Sequence, residues 1–150
     1  MRIALYEPDI PQNCGALLRL GACLGIVVDI IEPCGFVFSD KGLKRAGMDY
    51  LDHADYARHT SWNAFLSAHG SARIALLTSR GDTAYTNFAF AKHDIILLGR
   101  ESAGVPDAVH NRAEARLRIP LKPGLRSINV AQAGAMALGE ALRQTSQFPS

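Results

Sequence analysis

Short, unbroken apolar runs alternate along this chain with longer stretches in which leucine and alanine recur at helical spacing. The clearest run is Ile95-Ile96-Leu97-Leu98, which has the length and composition of a parallel strand buried on both faces. It stops at Gly99, and Arg100-Glu101-Ser102-Ala103-Gly104 then sets a charged pair between two glycines. Val105-Pro106-Asp107 starts a helix with proline in its first turn. The order is strand, glycine loop, helix, and in an open α/β sheet ligands bind at the carboxyl ends of strands.

Val27 to Ile31 and Arg73 to Thr78 are runs of the same kind, and Ile3 to Tyr6 is a short first strand ended by Pro8 and Pro11. Arg116 to Pro120 alternates polar and apolar residues and reads as a strand stopped by proline, while Tyr56 to His59 is a weaker strand. Between these lie the helices. Asn13 caps one over Ala16 to Leu24, which Gly25 ends, and Asp40 caps a short one from Lys41 to Ala46. Ser61 caps a third through Ser67, with Trp62 and Phe65 turned inward and Gly70 at its end; Asn129 caps the last, from Val130 to about Gln144. Gly134 and Gly139 inside that last helix cost roughly 1 kcal/mol each against alanine, which predicts close packing against another backbone. Strands alternating with helices predict a single α/β domain over residues 1–150 with a parallel sheet. A ligand crevice then forms where the loops after Leu77, Leu98 and Ile119 share one end of that sheet.

Composition narrows this modestly. With 48% hydrophobic residues in 150, the chain buries a single core, and a domain of that size removes roughly 68–70% of its unfolded surface from water. The formal charge of +2 is too small to identify a nucleic-acid binder, so clustering must carry that argument. Lys41, Lys44 and Arg45 fall at i, i+3 and i+4 and share a helix face, which serves either phosphate contact or solubility. The cysteines, Cys14, Cys23 and Cys34, are odd in number and lack a C-x-x-C pair, as expected of reduced thiols in a cytosolic protein. Met1 to Pro8 has Glu7 and Pro8 where a targeting segment needs an apolar core, and no apolar run approaches the roughly 18 residues of a membrane span. Ser146 to Ser150 reads as a frayed tail.

Several chemistries lack their residues. Gly99 to Gly104 has the spacing of a phosphate-binding loop, but Val105 and Pro106 stand where that loop needs lysine and a hydroxyl residue. No G-x-G-x-x-G follows a strand and no G-x-S-x-G occurs. The five histidines show no ligand spacing, so no metal site is expected. At this point the residues describe an α/β domain with a crevice and leave its chemistry open.

Three stretches together resemble the SPOUT class of RNA methyltransferases. Pro11-Gln12-Asn13-Cys14-Gly15-Ala16-Leu17-Leu18-Arg19 looks like its N-x-G-x-x-x-R motif; Leu98 to Pro106 and Ile119-Pro120 through Ser127-Ile128-Asn129-Val130-Ala131 are similar to its later motifs. Order and spacing match over essentially the whole chain. Ile31-Glu32-Pro33 and Arg45-Ala46-Gly47-Met48-Asp49-Tyr50 between them are similar to the short TrmL branch.

The resemblance implies a parallel-sheet α/β fold whose carboxyl-terminal part is a deep trefoil knot, in a cytoplasmic homodimer with no membrane segment. It implies S-adenosylmethionine as cofactor without metal, contacted by Leu77, Gly99, Ile119 and Ser127. The implied substrate is a transfer RNA anticodon stem-loop, with leucine isoacceptors expected, methylated on the wobble ribose at cytidine or uridine. Arg19 matches the catalytic arginine. A guanidinium with pKa above about 12 is a poor base, so its expected role is to stabilise the developing alkoxide. Glu101 is the competing base or else holds its loop by accepting backbone amides. Asn13 and Asn129 either position the ribose or cap their helices. Lys41, Lys44 and Arg45 are the expected RNA contacts. The rival reading is a catalytically inactive RNA-binding or ligand-sensing knot protein.

Overall fold

The computed structural model describes residues 1–45 and 50–150. Its sheet has seven strands: β1 (Arg2–Tyr6), β2 (Val27–Ile31), β3 (Tyr56–His59), β4 (Ile74–Leu77), β5 (Thr83–Ala84), β6 (Ile95–Leu98) and β7 (Ala115–Arg118). They lie in the order β3-β2-β1-β6-β4-β7-β5, all neighbours parallel. The helices are α1 (Pro11–Leu24), α2 (Asp40–Arg45), α3 (Trp62–Ala68), α4 (Asp107–Arg112) and α5 (Val130–Thr145).

The apolar runs are continuous because the sheet is covered on both faces. Alternation sends Ile3, Leu5, Ile96 and Leu98 into one core with Leu17 and Leu18 of α1 and Leu138 and Leu142 of α5. Ala4, Tyr6, Ile95 and Leu97 enter the other, beneath Phe65 of α3 and Val109 of α4. The short β5 has no counterpart in the apolar pattern, being only Thr83 and Ala84 on the sheet edge.

Several boundaries differ from expectation for local reasons. Helix α1 starts at Pro11, whose fixed φ suits a first helical position, so Asn13 lies inside the helix and does not cap it. Pro106 occupies the cap position of α4 and not its first turn. Helix α2 already includes Asp40, and the Ser39 hydroxyl accepts from the Gly42 N–H at 3.0 Å, so Ser39 is the cap. Ala46, the expected end of that helix, and the Ala46-Gly47-Met48-Asp49 part of the family motif lie outside the described residues. Ser61 caps α3 by accepting from Ala64, and Asn129 caps α5 by accepting from Ala131 and Gln132, both as expected.

Gly134 has a packing reason, though the neighbours are side chains. A Cβ there would stand 2.8 Å from Leu98 Cδ1 and 3.0 Å from Leu17 Cδ2, so the glycine lets α5 sit down on β6 and α1. Gly139 has no such reason, since its Cβ would meet nothing within 4 Å.

Candidate active site

The strands β6, β4 and β7 are adjacent, so the loops that follow them emerge side by side at the carboxyl end of the sheet. Together they enclose a cavity of about 600 Å³. Leu77, Gly99, Ile119 and Ser127 all line it, and so do Asn13, Glu101 and Asn129. Ile119 lies just beyond β7 in the loop, and Pro120 follows it. The lining mixes apolar side chains, among them Leu98, Val105 and Ile128, with main chain and the polar groups just named. A cavity of that volume and character suits a small ligand with one apolar and one polar part.

The glycine loop closes on itself. Arg100 N–H donates to the Gly104 carbonyl at 3.1 Å and Gly104 N–H returns to the Arg100 carbonyl at 2.9 Å. A Cβ on Gly99 would stand 3.0 Å from both Cα and carbonyl carbon of Gly104, and Gly104 itself has φ +65°, the left-handed region. The two glycines are therefore needed by the loop's own backbone. Arg100 secures the near side through Glu7 Oε2 at 2.9 Å. Glu7 has φ 43°, a strained conformation for a residue with a side chain, at the carboxyl end of β1.

A chain of hydrogen bonds runs along the rim. Asn129 Nδ2 donates to Asn13 Oδ1 at 2.8 Å, and Asn13 Nδ2 donates to Glu101 Oε1 at 3.2 Å. Glu101 Oε2 accepts from Asp9 N–H at 3.3 Å, while Glu101 N–H donates to Asp9 Oδ1 at 3.1 Å. The Ser102 hydroxyl also donates to Asp9. Burial and then the neighbouring Asp9 raise the pKa of Glu101, whereas the bond to Glu101 and those from Ser102 lower Asp9 to about 2. Glu101 is thus the later of the two to ionise, which makes it the stronger base of the pair. It also does what a structural glutamate would do, accepting a main-chain amide and tying the glycine loop to the end of β1. Starting α1 at Pro11 is what leaves the Asn13 amide free to join this chain, while Asn129 both caps α5 and bonds Asn13. Sequence reasoning misses Asp9. Its only signal is a carboxylate between Pro8 and Pro11 at the carboxyl end of the first strand.

The remaining expected residues stand apart. Arg19 is on the exposed side of α1, its guanidinium 4.4 Å from the centroid of the Tyr50 ring, and it is not among the residues lining the cavity. Lys41, Lys44 and Arg45 are exposed on α2, held by the buried Leu43, and Lys44 stands 4.0 Å from Asp52. They do not line the cavity either. The cysteines are free, and burial pushes the thiol of Cys14 up to about 12 and that of Cys34 to about 11, so neither is a ready nucleophile.

The fold also gathers groups that sequence spacing kept apart. Asp29 is fully buried, with His59 Nε2 at 2.8 Å and His69 Nε2 at 3.2 Å from its Oδ1. Arg2 bonds both carboxylate oxygens, at 2.7 and 2.9 Å. The three side chains come from β2, β3 and the end of α3, which is why no local motif announces them.

Residues 1–139 match the SpoU rRNA Methylase family. A protein of Ancylobacter novellus named tRNA (cytidine(34)-2'-O)-methyltransferase is 58% identical over 99% of this chain and 95% of its own length. The protein of that name from Escherichia coli (strain K12) is 39% identical, covering 96% of this chain and 93% of its own. A solved structure described as "Structural insights into the 2-OH methylation of C/U34 on tRNA" superposes with a TM-score of 0.90 and 41% identity, covering 95% of this chain and 94% of that one. An AdoMet-bound rRNA methyltransferase from Sinorhizobium meliloti is similar with a TM-score of 0.83 and 25% identity, over 95% of this chain and 55% of that one. With the glycine loop, the cavity at the parallel strand ends and the asparagine pair in place, the chain belongs to the SpoU rRNA Methylase family.

Proposed function

We propose that this protein uses S-adenosylmethionine to methylate the ribose 2′-hydroxyl of the wobble nucleotide, cytidine or a modified uridine, in the anticodon stem-loop of a transfer RNA. Leucine isoacceptors are the expected substrates. The observation that carries the reading is the cavity over β6, β4 and β7 with the Asn129–Asn13–Glu101 chain on its rim, in a chain 58% identical to a relative named for this reaction.

Leu77, Gly99, Ile119 and Ser127 would hold the cofactor, whose half-apolar, half-polar character suits this lining. When bound, S-adenosylmethionine supplies an electrophilic methyl group on sulfur. The chain's part is to align the acceptor and to stabilise the oxygen as it loses its proton. Asn13 and Asn129 orient the ribose, each already held by the other at 2.8 Å. Arg19 stabilises the developing alkoxide, and the proton leaves to a phosphate oxygen or water, with Glu101 as the competing base. Arg19 is exposed and does not line the cavity of its own chain, which supports its serving the site of a second copy in a homodimer. The outer faces of α1 and α5 fit that contact: Ala16, Cys23, Ala135 and Met136 are exposed, and Gly139 has open space above it. The carboxyl-terminal part is threaded as a trefoil knot. Lys41, Lys44 and Arg45 contact RNA phosphates, and the protein works in the cytoplasm.

Arg19→Ala tests the assignment. In single-turnover methylation of an anticodon stem-loop it lowers the rate roughly 10²–10³-fold, the effect of losing one donor to a developing oxyanion, with cofactor affinity unchanged. Arg19→Lys rescues poorly, since it lacks the planar fork. A wild-type rate in Arg19→Ala overturns the catalytic role, and absence of methyl transfer by the wild-type protein overturns the enzyme.

A further inference from the structure

A second cavity, of about 380 Å³, lies beyond β2, at the same end of the sheet as the first. Phe36, Phe38 and Arg58 line it, together with Glu32, Cys34 and Thr60. The two phenylalanine rings lie 25° apart in plane with centroids 6.5 Å apart, and the Arg58 guanidinium sits over Phe38 at 4.6 Å. Val37 between them is 84% exposed, whereas Phe36 and Phe38 are both half-buried and pack against the core.

The electrostatics select what such a wall binds. Arg58 Nε donates to Glu32 Oε1 at 2.8 Å, and its Nη2 donates to the same oxygen. Its charge is thereby matched, so it is a poor phosphate anchor, and what it presents is a flat guanidinium plane stacked on an aromatic ring. Among the described residues Glu32 Oε2 meets no donor, which leaves one spare acceptor on a residue that lines the cavity. Flat π faces, a guanidinium plane and a spare acceptor are the chemistry that holds an unpaired nucleobase. The cavity also adjoins the first site. Gly35 N–H donates to the Pro8 carbonyl at 2.9 Å, a Cβ on Gly35 would stand 2.6 Å from Asp9 Cβ, and Asp9 bonds Glu101 and Ser102 of the glycine loop.

We infer that the Phe36–Phe38–Arg58 cavity is a stacking subsite for one unpaired base of the RNA, next to the nucleotide that receives the methyl group. The inference rests on the reading of the protein as an RNA methyltransferase. In a hairpin loop the neighbours of the acceptor are themselves unpaired, and their faces are open to such a wall. Glu32 Oε2 accepts from a base with a Watson–Crick-edge donor, such as an exocyclic amine.

The test uses the full-length protein and anticodon stem-loops carrying 2-aminopurine at each nucleotide flanking the acceptor in turn. At one position the fluorescence falls on binding to wild type, and Phe36→Leu, which keeps an apolar side chain against the core, abolishes that change. Phe36→Leu raises the KM for RNA roughly 10- to 100-fold, the loss of one base–aromatic stack, with S-adenosylmethionine affinity and melting temperature unchanged. An abasic linkage at the same nucleotide costs wild type a similar factor and costs Phe36→Leu nothing more. Arg58→Lys keeps the charge and shows a partial loss. Wild-type KM in Phe36→Leu, or additive losses with the abasic loop, overturns the subsite. RNA that binds and quenches without being methylated overturns the enzymatic reading and leaves the subsite standing; RNA that does not bind overturns both.

Discussion

Two carboxylate clusters sit on this sheet, and they are built on opposite plans. Asp29, fully buried, faces three nitrogen-bearing side chains, with Arg2 on both of its oxygens and His59 and His69 on one. Glu101, at the cavity rim, is met by a neutral asparagine and a main-chain amide, with a second carboxyl, Asp9, beside it. Burial raises Asp29, but the bonds from Arg2 and His59 outweigh it and its pKa is lowered. Burial and Asp9 both raise Glu101. The first carboxylate is saturated by donors and closed; the second keeps its basicity beside a volume that takes a ligand. A buried charge alone therefore does not mark the site, and what separates the two clusters is whether the partners leave anything for a substrate to use.

Removing the closed cluster's charge has the largest expected effect. Asp29→Asn leaves Arg2 and two imidazoles without their anion, at a cost of about 3 kcal/mol in denaturant unfolding, the low end for a broken buried pair because Arg2 keeps some solvent. Methyl transfer per folded molecule is unchanged. The pH dependence carries a definite sign. A carboxyl whose pKa is depressed by folding contributes stability above its unfolded pKa of about 3.9 and loses it as pH falls through the folded value. The gap between wild type and Asp29→Asn therefore narrows once the pH falls below about 3.9. A variant that unfolds like wild type at neutral pH would place Asp29 outside any stabilising role.

Gly99→Val strikes the open cluster through its loop. The added side chain meets the Gly104 backbone, and overpacking of that kind costs about 1–3 kcal/mol, read in calorimetry as a loss of S-adenosylmethionine affinity of roughly tenfold or more. Global stability moves less than in Asp29→Asn. Unchanged affinity would mean that the loop's closure does not shape the cofactor pocket.

The smallest effect is expected on the exposed face of α2. Replacing Lys44 and Arg45 by alanine weakens RNA binding and flattens the slope of log affinity against log salt by roughly 0.7–0.9 for each phosphate that the protein no longer neutralises. Lys44 already stands near Asp52, which limits its share. An unaltered slope returns this face to solubility.

What the sequence determined by itself was the sheet and the place of its crevice. Continuous apolar runs such as Ile95 to Leu98 specify strands covered on both sides, and the punctuation at Gly25, Ser61, Gly99 and Asn129 sets where helices and loops begin and end. These are local signals, each readable within a few residues. Which side chains meet is a matter of long-range assembly. Asp9 joins Glu101 across 92 positions of chain, Asn129 joins Asn13 across 116, and Asp29 gathers His59 and His69 from 30 and 40 positions away. Such contacts follow from strand order, and a parallel sheet ordered β3-β2-β1-β6-β4-β7-β5 brings together loops that no spacing rule connects. Asn13 shows both levels at once: Pro11, a local signal, claimed the start of α1, and the tertiary fold then set the asparagine that reads as a cap against Glu101.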